Sequence, residues 1–135
     1  MRRDMDLIRD LMLKIEGLER PADIPTGACW HVPLDSPEIS VPGHATDEID
    51  YHLALIRGAG FINSGGVSAP TGIVLCGLTW RGHDFVDSVR DPAIWRATKE
   101  GAVEAGGFSV DLLLALAKGL IKKKIEQHTG VKLDL

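Results

Sequence analysis

The chain has 135 residues, 44% hydrophobic and 25% charged, which is enough apolar material for one ordinary globular core and excludes a disordered chain. A formal net charge of −4 speaks against indiscriminate phosphate binding, because domains that do this carry a clear basic excess, although local basic patches remain open. Cys29 and Cys76 lie far apart, with neither a Cys-x-x-Cys pair nor the density of a disulfide scaffold, so they read as two buried thiols in a reducing interior.

The amino terminus, Met1 to Arg9, mixes acids and bases and lacks the apolar core of a signal peptide. No apolar run approaches the roughly 20 residues that span a bilayer. The expectation is a cytoplasmic protein with no membrane partner. Asp4 to Leu18 then reads as an amphipathic helix, with Leu7, Ile8, Leu11, Met12, Ile15 and Leu18 on one face. Asp10 and Lys14 form a pair of favourable order on its solvated side, worth roughly 0.2 to 0.5 kcal/mol. Arg2 and Arg3 form a short basic arm that could touch a phosphate backbone.

From Arg20 to Gly43, Pro21, Pro25, Pro33, Pro37 and Pro42 exclude a long helix. Cys29 to Val32 and Glu38 to Val41 are the β-compatible pieces, and either could pair with an edge of a later hairpin. Cys29, His31 and His44 carry metal-ligand atoms, but four ligands at tight spacing are not visible, and neither a metal nor a cofactor is expected.

A second helix opens at Thr46-Asp47-Glu48, where Thr or Asp could cap the free amides and early acids suit the helix dipole. Ile49, His52, Leu53 and Ile56 form its core stripe, leaving Asp47, Asp50, Tyr51, Ala54 and Arg57 outward. Gly58 and Gly60 stop it. Phe61 to Asn63 and Ile73 to Leu78 then predict a hairpin whose loop, Ser64 to Gly72, contains neither Lys nor Arg.

Leu78 leads into Thr79-Trp80-Arg81-Gly82-His83-Asp84-Phe85-Val86-Asp87. Thr79 is a cap, Gly82 admits a close backbone, and Phe85, Val86 and Val89 face the core. His83 can reach Asp87 within one turn, an arrangement able to orient an imidazole. With no nucleophile nearby in sequence, the pair reads as a structural link, with Trp80 packed over Pro92 or Trp95. No catalytic residue and no small-molecule substrate are inferred.

Asp91-Pro92 restarts a helix with Ile94, Trp95, Thr98 and Ala102 inward, ending at Gly106-Gly107. Ser109 caps a last helix, Val110 to Ile125, whose apolar positions exceed one narrow stripe. That excess suits packing on its own domain and on a twin, so a homodimer through Leu112, Leu116, Leu120 and Ile121 is expected. Lys118, Lys122, Lys123 and Lys124 complement the helix dipole.

Three segments together resemble a known bacterial and phage family: Arg2-Arg3-Asp4-Met5-Asp6-Leu7-Ile8-Arg9; Ile49-Asp50-Tyr51-His52-Leu53 through Gly60-Phe61-Ile62; and Leu78 to Asp87 with Trp95 and Lys99. It is the domain-of-unknown-function family twenty-five thirteen, from which the chain departs at Val86, where the family has Leu. The resemblance implies a winged-helix-like architecture and a frequent home in prophages or mobile elements, and it carries over no activity. The expected fold class is thus α+β: a winged-helix-like core over 1–90 with a Pro-rich insertion at 20–43, and a helical extension over 91–135 packed on the same domain. The expected function is a small regulator, with Arg2, Arg3, Tyr51, Arg57 and Arg81 as candidate contacts to duplex DNA. The alternative is an accessory protein acting by protein–protein binding, including inhibition of a host or defence protein. Thr79, Trp80, Gly82, His83, Phe85, Asp87 and Trp95 are expected to be structural.

Overall fold

The amphipathic stripe that opens the chain becomes helix α1, Met5–Glu16, in a computed structural model that describes residues 1–104 and 109–134. The Asp4 carboxylate starts the helix by accepting from the amides of Asp6 and Leu7, and Met5, Leu7, Ile8, Leu11, Met12 and Ile15 are buried. The described residues make an α+β protein of five α-helices and short antiparallel strands. They fall into two compact units, Met1–Val86 and Asp87–Leu135.

Within the first unit, the proline-rich stretch is a chain of tight turns, closed for example by Ile24 N–H to Pro21 O and Ser36 N–H to Pro33 O. It contains one strand, β1, Trp30–Val32. The second expected strand piece, Glu38 to Val41, is instead entered by a 3₁₀ turn at Pro37–Ile39. Pro37 presets the helical φ and the Ser36 hydroxyl accepts from the Glu38 amide, so local capping chemistry wins over the β propensity of Ile39 and Val41, which are buried all the same.

Helix α2, Thr46–Gly58, buries Ile49, His52, Leu53 and Ile56, the expected stripe. Its start differs from expectation. The N-cap is Ala45, with no side-chain cap, because Thr46 is already in the first helical turn, and Asp47 spends its carboxylate on the neighbouring Glu48 amide.

Three further strands follow: β2, Ile62–Asn63; β3, Ile73–Leu75; and β4, Gly77–Leu78. The hairpin expected between Phe61–Asn63 and all of Ile73–Leu78 forms only over its second half, where β2 pairs with β4 in the register Ile62 to Leu78 and Asn63 to Gly77. β3 pairs with β1, Trp30 opposite Leu75 and Val32 opposite Ile73. A two-residue strand cannot satisfy six residues of partner backbone, so β1 takes the remainder. Helix α3, Trp80–Val89, follows, and its Phe85 stacks on Phe61 with ring centroids 4.8 Å apart.

In the second unit, α4, Pro92–Glu104, starts on Asp91, whose Oδ1 accepts from the Ala93 and Ile94 amides. The end expected for it at Gly106-Gly107 lies outside the described residues. Helix α5, Val110–Thr129, starts on the Ser109 hydroxyl and ends at Gly130, whose φ of 73° sets a left-handed cap. α5 lies along α4, where a methyl at Gly101 would meet Leu116 at 3.6 Å, an ordinary contact. Trp95, Thr98, Ala102, Leu113 and Ala117 are buried, and Thr98 satisfies its hydroxyl on Ile94 O at 2.6 Å. Among the described residues no helix is long and apolar enough to cross a membrane.

Candidate functional site

Because the core stripe of α2 uses one side of the helix, Asp47, Tyr51, Ala54 and Arg57 are left exposed on the other. The loop 64–72 between β2 and β3 is tied to this helix at its far end. The Asp50 carboxylate accepts from the Gly72 amide at 3.1 Å, and His31 Nε2 donates to Thr71 O at 2.9 Å. Gly72 has a φ of +75°, and a methyl group there would lie 2.3 Å from Val32 O, so this corner requires glycine. The near end is an Asx turn, Asn63 Oδ1 accepting from Gly65 N–H, and Val67 at the tip is 56% exposed. The cleft between α2 and the loop, bordered by Asp50, Arg57, Pro70 and Val74, measures about 80 Å³, far below the few hundred Å³ that a metabolite requires.

Of the five candidate DNA contacts, Tyr51 and Arg57 share α2, Arg2 and Arg3 precede α1, and Arg81 is in the first turn of α3 with its guanidinium 5.7 Å from the Phe61 ring centre. The exposed α2 face thus sets one cation, Arg57, against Asp47 at the opposite end of the helix. The loop contributes no cation.

Behind that face, His52 is fully buried and joins the two first helices. Its Nδ1–H donates to Glu48 O at 2.8 Å, and its Nε2 accepts from the Asp4 amide at 2.8 Å. An amide can only donate, so the geometry requires the neutral Nδ1–H tautomer. Next to it, Asp4, His44 and Glu48 bring their ligand atoms within 4.8 Å of one another, all half-buried. Each already has a partner: His44 Nδ1 bonds Glu48 Oε1, and Asp4 caps α1. The Glu48 carboxylate raises the His44 pKa, with Asp4 and Asp10 adding to it against the opposing effect of burial. The trio could take a divalent cation only by giving up the His44–Glu48 bond, and as it stands it is a charged link between the start of α1 and the start of α2. Sequence reasoning grouped His44 with Cys29 and His31. Long-range packing separates them, His31 bonding the loop and Cys29 lying beside Cys76.

The Thr79 motif is an architectural joint. The Thr79 hydroxyl accepts from Gly82 N–H at 3.0 Å and donates to Gly60 O at 2.5 Å, while Thr79 N–H donates to Phe61 O at 3.0 Å. A methyl at Gly82 would stand 2.0 Å from Phe61 O. Phe85 and Trp95 are buried. Two readings of the motif are corrected. Trp80, expected to be packed, is 84% exposed, because at 100° per residue it points away from the face of Phe85 and Val86. His83 is exposed and Asp87 bonds Arg90 at 3.0 Å, so the expected His83–Asp87 link does not form. Trp80 is the residue whose surface position sequence reasoning missed, and its helical angle was the signal for it.

The four α5 residues expected at a dimer contact, Leu112, Leu116, Leu120 and Ile121, are half-exposed. Leu116 is directed at α4, where a methyl added at Gly101 would touch it, whereas Ile121 borders an open trough of about 630 Å³ with Ala115, Gly119 and Ile125.

Comparison with known proteins adds kinship without an activity. The chain is 28% identical over 131 residues to an uncharacterized protein of Haemophilus influenzae (strain ATCC 51907 / DSM 11121 / KW20 / Rd), an alignment covering 94% of this chain and 98% of that relative. No solved structure matches it. The model of the family described as "Hypothetical protein (DUF2513)" matches residues 2–109, taking in everything from the basic arm through the strands and Thr79 joint to the end of α4. The chain therefore belongs to the DUF2513 family.

Proposed function

We propose that this chain is a small regulatory module of winged-helix-like build that works by docking on a protein, in keeping with an accessory role in a phage or mobile element. The element order supports the architecture: α1, β1, a 3₁₀ turn, α2, β2, a glycine-rich loop, then one run bordered by β1 over its first half and β2 over its second. In that order α2 stands where a recognition helix would, and the loop 64–72 where a wing would. The observation that carries the choice of partner is the chemistry of those two elements. A duplex-binding face gains affinity by neutralising phosphates, but here the wing offers no cation and α2 begins with Asp47 and Glu48. The exposed Tyr51, Val67 and Trp80 are instead the aromatic and apolar side chains that anchor protein contacts. A partner carrying apolar pockets ringed by bases suits this surface.

The test is affinity capture from a bacterial lysate with and without nuclease, using wild type and the variants Tyr51→Asp, Val67→Asp and Trp80→Asp. A specific partner should survive nuclease and be lost in at least one variant that keeps the wild-type circular dichroism spectrum. Loss of every captured protein on nuclease treatment would refute the reading.

Duplex DNA is the second reading, favoured by the exposure of Arg2, Arg3, Arg57 and Arg81. It requires binding at low salt that weakens steeply as salt rises, with a slope reduced by about 1 for each phosphate-contacting arginine removed. A homodimer through the α5 side bearing Ile121 and Ile125 is compatible with either. Light scattering of wild type against Ile121→Glu tests it, and a monomeric wild type would rule it out.

A further inference from the structure

Cys29 immediately precedes β1 and Cys76 immediately follows β3. The antiparallel register ends with Trp30 opposite Leu75, and continuing it by one step past these last paired residues would set Cys29 opposite Cys76. The kind of opposition matters for what the two sulfurs can do. Cys76 N–H donates to Asn63 O at 2.8 Å, toward β2 and away from β1. Backbone polar groups alternate in direction along a strand, so Leu75 is the residue that turns toward β1 and Cys29–Cys76 is a non-hydrogen-bonded pair. At such a site the two Cα atoms stand about 4.5 Å apart with their side chains on one face, inside the roughly 4.4–6.8 Å that a disulfide spans without backbone movement. Both cysteines are free thiols and half-exposed, and the Cys76 thiol is near enough to perturb that of Cys29. Their surroundings belong to the wing: a methyl at Gly65 would lie 3.0 Å from Cys29 Sγ, and the Cys76 thiol donates to Asn63 O at 3.4 Å.

We propose that Cys29 and Cys76 are a reversible oxidation site, closed by a peroxide into a cross-strand disulfide at the base of the wing and reopened by a dithiol reductant. In the first step the thiolate of one cysteine attacks the O–O bond of hydrogen peroxide. An S–O bond forms, the O–O bond breaks, and the departing hydroxide takes up the thiol proton as water, leaving a sulfenic acid. In the second step the other sulfur displaces the sulfenic oxygen: the S–S bond forms, the S–O bond breaks, and a second water leaves with the remaining thiol proton. Two electrons have passed from the sulfurs to the peroxide oxygens. The dithiol returns them by exchange through a mixed disulfide. The closed loop encloses the 3₁₀ turn, α2, β2 and the wing. Contact with the Cys76 thiol, with burial adding to it, holds the Cys29 thiol above its ordinary pKa, so the reaction should be slow at neutral pH and quicken in alkali.

The experiment exposes the reduced, folded full chain to hydrogen peroxide, alkylates the remaining thiols, and maps peptides by mass spectrometry without reduction. The expected result is loss of both alkylation sites together, a peptide joining Cys29 to Cys76, an unchanged circular dichroism spectrum, and recovery of both thiols with dithiothreitol. In Cys29→Ser or Cys76→Ser the remaining thiol should run on to sulfinic acid, with no internal link. Independent over-oxidation of both cysteines in the wild type, links only between chains, or an internal link that appears only once the spectrum shows unfolding would each overturn the proposal. The wild-type map decides the matter even if neither serine variant folds.

Discussion

Replacing Gly82 by alanine sets two effects of opposite sign against each other. In a helix interior alanine is favoured over glycine by about 1 kcal/mol, so propensity alone predicts a more stable protein. The new methyl, however, would stand 2.0 Å from Phe61 O and 2.9 Å from Phe61 C, backbone atoms that no side-chain rotation can move aside. Relief requires α3 and the start of β2 to separate by about 1 Å, enough to forfeit much of the contact energy between them. That separation weakens the bond from Thr79 N–H to Phe61 O and from the Thr79 hydroxyl to Gly60 O, each worth about 1 kcal/mol, and loosens the Phe61–Phe85 stack, worth about 0.5–1.5 kcal/mol. With residual overpacking of about 1–2 kcal/mol, and the propensity gain subtracted, the variant should be destabilised by about 2–4 kcal/mol. Gly119 in α5 is the control, since a methyl there meets nothing within 4 Å, and Gly119→Ala should stabilise by up to about 1 kcal/mol. Urea unfolding followed by circular dichroism reads both. With a slope of about 2 kcal/mol/M, the Gly82→Ala midpoint should fall by about 1–2 M. A midpoint equal to or above wild type, at unchanged slope, would refute the packing argument.

Three other outcomes follow from local chemistry. His52→Leu preserves bulk but leaves the Asp4 amide without its acceptor, and should cost about 1–3 kcal/mol in urea unfolding; no loss would mean that this bond contributes nothing net. For His44, whose folded pKa is raised, the contribution of the ion pair is fully present below the ordinary imidazole value and is lost as pH rises through the raised one. Wild type should therefore exceed Glu48→Gln in stability by most at acid pH, and an NMR titration should show His44 moving down in the variant; an unmoved titration sinks the assignment. Asp91 has a lowered pKa, caused first by the Ile94 amide, then by the Lys124 ammonium and the Ala93 amide. Its contribution is present above the ordinary carboxylate range and is lost as pH falls through the lowered value. Asp91→Ala should accordingly reduce helix content at neutral pH, with the difference closing in acid, whereas Asp91→Asn keeps the cap; equal helicity for all three at neutral pH would show that the cap is dispensable.

Particular residues show where sequence reasoning reached and where it stopped. The stripes of α1 and α2 were legible because a buried helix face repeats every three to four residues whatever it packs on, and Ile49, His52, Leu53 and Ile56 are all buried. Caps such as Ser109 were legible because they act within one turn. The same locality explains the 3₁₀ turn at Pro37, whose capping serine and proline were both in view but were outweighed by a reading of β propensity in Ile39 and Val41. Of the candidate interface, Tyr51 and Arg57 could be placed on one helix, but their relation to the loop 64–72 depended on Asp50 reaching Gly72 across 22 positions of sequence.

The sequence by itself determined the order of elements, their inward faces and kinship with a family, because periodicity, caps and breakers are short-range properties of the chain. Only the tertiary structure decided that Ile73–Leu78 is shared between β1 and β2, that Asp4 meets His44 and Glu48, that Cys29 faces Cys76, and that Trp80 lies on the surface. The first three depend on which distant segments satisfy one another's backbone bonds and fill one another's packing space. No local pattern encodes that choice.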